Sequence, residues 1–332
     1  MTNKVQIPKF SLMSTNLLST SAATGFGGVV QEYLWNWENQ QLRVVYETLG
    51  KGSPLLLLPS FSTVSTRLEV GELAKLLAPN FQVVAIDWPG FGESSRPSLN
   101  YRPEIYQQFL EDFVKAVLRR RPSATLRTGS VQVFNTPITA IAAGHAASYV
   151  LQLAVKQQAA FSKILLLAPT WRGPLPTMGA SQQIAGMVRE LVRSPILGQA
   201  LYKLNTTQSF LSFMYRRHVF TDAAKITPSF IEKKWQTTQQ PGARFASAAF
   251  VTGNLDAVHE QSDFLELVQS LTVPLMVVIG ESSPPKSREE MNALVALPGV
   301  RSVVIPGSLG LHEEYPAVVL EAVQDFLFSS EN

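Results

Sequence analysis

The stretch IDWPGFGESSRP, residues 86 to 97, decides how the rest of the chain is read. The apolar run FQVVAI (81–86) feeds into it, and the chain then turns at Pro89, Gly90 and Gly92. Glycine permits positive φ and close backbone approach, so this reads as a buried strand ending in a tight, architectural loop. Upstream, PLLLLPSFS (54–62) has the same form, with the helix-like GELAKLLA (71–78) between the two. Before it, QLRVVYETLG (41–50) reads as an edge strand. Downstream, Ile105, Phe109, Phe113 and Val117 lie on one face of a helix from about 102 to 120. TAIAAG (139–144) turns at GHAAS into the helix YVLQLAVKQQ, and KILLLAPT (163–170), PLMVVIGE (274–281) and RSVVIPG (301–307) complete the strand series. Short apolar strands alternating with helices predict an α/β fold, a mostly parallel sheet of about eight strands covered on both faces.

About a hundred residues separate Thr170 from Val273, far more than the roughly 2 to 6 of an ordinary α/β connection. Residues 171–262 are therefore expected to form a helical cap, with 33–170 and 263–332 as the core and 1–32 as a loosely ordered N-terminal arm. The cap carries ten Lys or Arg against five Asp or Glu, so a basic bias is concentrated there. The whole chain carries only +3, which gives no indication of a nucleic-acid partner. With 45% hydrophobic residues it can bury a sizeable core. Zero cysteines exclude disulfides, thiolate metal sites and a Cys nucleophile. His145, His218, His259 and His312 show no metal-ligand spacing, and neither a metal nor a cofactor is expected. No apolar run approaches the roughly 18 residues of a membrane span. A cytoplasmic location, or the stroma in a plant, is the corresponding expectation.

Three motifs in this order resemble the α/β-hydrolase superfamily, in the capped branch of epoxide hydrolases and haloalkane dehalogenases. The resemblance covers roughly residues 33 to 330. IDWPGFGESSRP is similar to the family's D-x-P-G-x-G-x-S loop. AAGHAASYVLQLA (142–154) resembles the nucleophile elbow G-H-S-x-G, and GSLGLHEEYPAVVLEAVQDFL (307–327) the segment that carries the catalytic His. The segments PSFSTVSTR, GHAAS and APTWRGPLPTMG are also similar to cyanobacterial and plastid members.

The resemblance implies a site whose chemistry has been lost. A triad needs a nucleophile on a strained turn, a His as base and an acid to orient it. Here the nucleophile position falls on Ala146, whose methyl group cannot attack a carbonyl. The acid position after PLMVVIG falls on Ser283, leaving Glu281 as a solvent-facing carboxylate and Asp256 as an alternative acid. Only His312 is kept, a candidate base or hydrogen-bond donor with no evident acid to fix its tautomer. The family's H-G after LLLL has become Pro59 and Ser60, yet oxyanion donors are backbone groups, and the N–H of Phe61 and of Ala147 remain candidates. Ser60 and Trp171 complete the expected ligand-contacting set.

Three functions compete at this point. The first is a non-hydrolytic binder of a small apolar or amphiphilic ligand, or an accessory protein. The second is an enzyme of unconventional mechanism with His312 as base. The third is a hydrolase with a displaced triad drawing on Ser60, Ser148 or Ser283. The aromatic and Met residues of the cap fit either a ligand pocket or a compact cap core, and its Lys and Arg fit an acidic headgroup or an anionic membrane surface. The oligomeric state is not legible.

Overall fold

The protein is described by a computed structural model covering residues 25–118 and 138–329. Eight strands form one sheet in the order β1-β2-β4-β3-β5-β6-β7-β8. They are β1 (Val29–Trp37), β2 (Gln40–Leu49), β3 (Ser53–Leu58), β4 (Phe81–Ile86), β5 (Ile138–Ala143), β6 (Phe161–Leu167), β7 (Leu275–Gly280) and β8 (Val300–Ile305). β2 runs antiparallel to β1 and β4, and every other neighbouring pair is parallel. The central strands are apolar throughout because helices cover both faces: Leu55 to Leu58 and Ile164 to Leu167 are all fully buried.

Helix α1 (Gly71–Leu77) follows β3, α2 (Pro103–Phe113) follows β4 and α3 (Ala146–Lys156) follows β5. Between β6 and β7 the chain makes α4 (Pro174–Thr177), α5 (Gln182–Arg193), α6 (Leu197–Leu204), α7 (Gln208–Met214), α8 (Pro228–Thr238), α9 (Ala243–Val251) and α10 (Gln261–Gln269). The first six form the cap, whereas α10 packs on α3 and on α11 (Pro285–Val295), beside the sheet. α12 (Leu311–Glu314) and α13 (Pro316–Phe328) end the fold.

Two expectations change at the N-terminal edge. QLRVVYETLG is not the edge strand: β1 lies outside it, joined through a tight turn at Glu38, whose φ is 51°. The expected arm is also shorter than residues 1–32. Residues 1–24 lie outside the described residues, but Phe26 and Gly28 donate their N–H groups to the Glu47 carboxylate at 2.9 and 2.7 Å, which fixes the entry into β1. VVQEYLWNW escaped the reading because an edge strand with one wet face keeps polar residues in its pattern.

Candidate functional site

At the carboxyl end of β5 the chain reverses through Gly144, at φ +49°, into His145 and then Ala146, the first residue of α3. A side chain at Gly144 would meet Ser60 Oγ at 2.3 Å, so the close approach of the β3 and β5 loops requires glycine there. Ala146 is fully buried at this elbow. The amide of Ala147 is not free to bind an oxyanion, since it donates to Gly144 O at 3.2 Å within the turn. That removes one of the two expected backbone donors.

His312 sits on α12, after β8, and is 2% exposed. It does have a carboxylate partner, contrary to the sequence reading, and the partner is Glu69. Glu69 lies in the 3-10 turn Arg67–Val70, between β3 and α1, and its Oε1 is 2.8 Å from His312 Nε2. The same oxygen accepts the N–H of Ser60 at 2.9 Å. A carboxylate oxygen accepts, so Nε2 must carry the proton and donate it. In a working triad Nε2 instead receives the nucleophile's proton. His312 is thus held in the tautomer opposite to that of a base facing Ala146. Its Nδ1 is buried with no hydrogen-bond partner among the described residues, as is the Oγ of Ser283 in the loop after β7. The Ser282 N–H donates to Gly307 O at 2.9 Å, which ties that loop to the start of the His312 segment.

Glu69 had one legible signal. Glu69, Leu73 and Leu77 are spaced by four residues, and the two leucines are buried. An acid in line with the buried face of a helix needs a partner.

Asp256 is not the acid of His312. It is buried, accepts the Gly173 N–H at 2.9 Å and lies 3.4 Å from His145 Nε2. His145 also meets Leu255 O at 2.9 Å, and the Tyr149 hydroxyl donates to the same carbonyl at 2.6 Å. These contacts pin the return from the cap to the elbow. Burial holds His145 neutral, with its pKa lowered to about 4, and pushes Asp256 up to about 8. Glu281 is exposed, as expected.

Above pH 6.5 these two shifts have a consequence for stability. Folded Asp256 keeps its proton up to about pH 8 while the unfolded residue loses it near 3.8. The folded state therefore binds the extra proton, and stability falls as pH rises towards 8. Below 6.5, the ordinary His value, unfolded His145 takes up a proton that the folded residue refuses until about pH 4, which opposes the first effect. These two groups together are expected to cost about 1 kcal/mol of stability between pH 6.5 and 8. Asp256→Asn should flatten that slope in denaturant titrations, and an unchanged slope would refute the assignment.

The other expected ligand contacts face packed interiors. Phe61 stacks on Trp88 at 4.7 Å and meets Tyr106 edge-on at 4.8 Å. Trp171 stacks on Phe264 at 4.6 Å. Ser60 is half-buried, with its Oγ on Phe61 O at 3.2 Å. The inner cap residues also build a core, Tyr215, Phe220 and Phe230 lying 5.0 to 5.2 Å apart, packed with Val64 of the β3 loop.

The cap clamps the turn that holds His312. Glu314 Oε1 accepts the N–H groups of Thr221 and Asp222 at 2.8 and 2.6 Å, and Gly310 donates to Val219 O at 3.0 Å. Lys234, buried over the Tyr215 and Phe230 rings, pairs with Glu313 at 2.6 Å. No cluster of three metal-ligating side chains occurs among the described residues, and no helix there is long and apolar enough to cross a membrane.

The model of the "Alpha/beta hydrolase family" matches residues 55–322. No curated protein matches the sequence. Solved structures with the same fold include a bromoperoxidase from Bacillus anthracis (15% identity, TM-score 0.66, 90% of this chain and 100% of that one). A haloalkane dehalogenase variant from Agrobacterium tumefaciens C58 is similar at 16% identity and TM-score 0.64, covering 92% of this chain and 99% of that one. A serine hydrolase involved in carbazole degradation also has 16% identity and TM-score 0.64, over 90% and 98%. With the family match spanning most of the sequence and the sheet order, elbow and cap in place, the chain belongs to the α/β-hydrolase family.

Proposed function

We propose that this chain is a non-hydrolytic member of the family, a pseudoenzyme that serves as an accessory protein. The observation that carries the reading is Glu69: its carboxylate occupies both His312 Nε2 and the Ser60 amide. The ring nitrogen that would serve as a nucleophile's base and a backbone N–H of the β3 loop are thereby satisfied from within the chain. Ala146 supplies no hydroxyl at the elbow, and the burial of Phe61 and Trp171 in ring stacks favours an accessory role over a ligand-binding one. A cytoplasmic or, in a plant, stromal protein of the cyanobacterial and plastid type fits this reading.

The expected result is no turnover of p-nitrophenyl butyrate above buffer and no labelling by a fluorophosphonate probe. Removing a nucleophile leaves at most the residual oxyanion and binding contributions, about 10³- to 10⁴-fold over water in a full triad enzyme, and here the Ala147 donor is engaged as well. Stoichiometric labelling of Ser60, Ser148 or Ser283 would overturn the proposal in favour of a displaced triad.

One observation favours a second reading, an enzyme using a reversed dyad. With Nε2–H donated to Glu69, the ring nitrogen of His312 left to act as a base is the unpartnered Nδ1. A lipid, isoprenoid or aromatic acid that raised the thermal midpoint of the protein, but not of His312→Ala, would support it.

A further inference from the structure

The outer surface of the cap is apolar where a soluble helical lid would be polar. On α5 the chain folds inward on Ala185, yet Ile184, Met187 and Leu191, at positions i, i+3 and i+7, face solvent. The exposed stripe continues past the end of the helix: Ile196 is 87% exposed, and Leu197 and Leu204 of α6 are 53% and 68% exposed. Met178, just after α4, is 71% exposed, and α4 and α6 both pack against α5, so these residues belong to one layer. Single exposed apolar residues are ordinary, but a run of this kind across adjoining helices marks an interaction surface.

Charge identifies the occupant. Residues 178–204, which span α5 and α6, contain Arg189, Arg193 and Lys203 against the single acid Glu190. Lys203 is exposed, while Arg189 and Arg193 share Glu190 at 3.7 and 3.6 Å, which leaves the surface with a net positive charge. A second copy of the chain docked about a two-fold axis would bring this basic surface against itself. An anionic lipid surface complements it. Amphipathic helices with apolar residues on one side and Lys or Arg at the rim lie in the headgroup region, with long basic stems reaching to the phosphates.

We propose that α5, α6 and the turn joining them form a peripheral docking site for an anionic bilayer. Met187, Ile196 and Leu204 enter the acyl boundary, and Lys203 contacts a lipid phosphate. The inference goes beyond the loss of hydrolysis and rests on different residues, so a vesicle assay and a probe-labelling assay fail independently.

The test is flotation of the full chain with vesicles of phosphatidylcholine alone and with about 30% phosphatidylglycerol, at low and high salt. Binding is expected to the anionic vesicles, at least about tenfold above the neutral ones, and to weaken with salt. Lys203→Ala should lower partitioning about fivefold, the effect of one basic residue near such a surface. Met187→Glu with Ile196→Glu should abolish it, and since both positions face solvent the variant keeps its fold. Absence of binding, equal binding to neutral vesicles, or binding unaffected by the double substitution would overturn the proposal. So would a solution dimer that the double substitution dissociates, because the surface would then belong to a second copy.

Discussion

Arg67→Met is expected to destabilise the protein by about 3–5 kcal/mol, lowering the thermal midpoint by roughly 10 °C. Arg67 is 1% exposed and its guanidinium serves three carboxylates. Nε lies 3.2 Å from Glu47, Nη2 lies 2.7 Å from Glu93, and Nη1 is in short contact with Asp87. Glu47 and Asp87 are fully buried. Glu47 fixes the start of β1 through Phe26 and Gly28, and Asp87 accepts the N–H groups of Arg67 and Glu93 at 2.6 and 2.9 Å, shaping the IDWPGFG loop. Losing the cation leaves two carboxylates in the core without a counter-charge, whereas Glu93, 44% exposed, can be replaced by Gln at a cost of about 1 kcal/mol or less. Burial already raises Asp87, more than Arg67 and the backbone N–H groups lower it. In Arg67→Met it must rise further, so the deficit should shrink as the pH is lowered and the carboxylate takes up a proton. A deficit below about 1 kcal/mol at neutral pH in urea unfolding would show that the network is dispensable.

Much of the fold was legible because parallel strands covered on both faces read as unbroken apolar runs, and the sequence has them at Leu55 to Leu58, Ile164 to Leu167 and Leu275 to Ile279. The elbow was legible for a steric reason: only glycine fits at 144 against Ser60. The edge strand β1 was not, because a half-exposed strand is written in mixed residues. Within the site, the positions of Ala146, Ser283 and His312 follow from where their strands end. Their partners do not. Glu69 reaches His312 across 243 residues of sequence, and although its spacing with Leu73 and Leu77 calls for a partner, nothing local identifies that partner as His312. Asp256 was read as an alternative acid for His312, and it is instead a buried group beside His145 because the end of the cap folds back onto the elbow. The aromatic residues of the cap divide in a way composition cannot show: Tyr215 and Phe220 close a core, while Phe213 faces solvent.

The central claim is that Glu69 withholds His312 from catalysis, and rebuilding a triad around it tests this directly. Ala146→Ser returns a hydroxyl to the elbow, and Ser283→Asp returns an acid to the loop after β7, the position that the family resemblance assigns to it. With Glu69 in place, that double variant still has Nε2–H pointing at a carboxylate 2.8 Å away, and the new hydroxyl finds no base. Adding Glu69→Ala removes the acceptor that holds the Nε2 proton, so that the carboxylate introduced after β7 can fix the other tautomer. The measurement is the rate of p-nitrophenyl butyrate hydrolysis by the double and the triple variant, each first shown to be folded by its thermal midpoint. The expected result is a double variant indistinguishable from the unmodified protein and a triple variant faster by on the order of 10²-fold, the lower end of what a positioned general base contributes. Equal rates in the two variants would contradict the account, since Glu69 would then make no difference to what His312 can do.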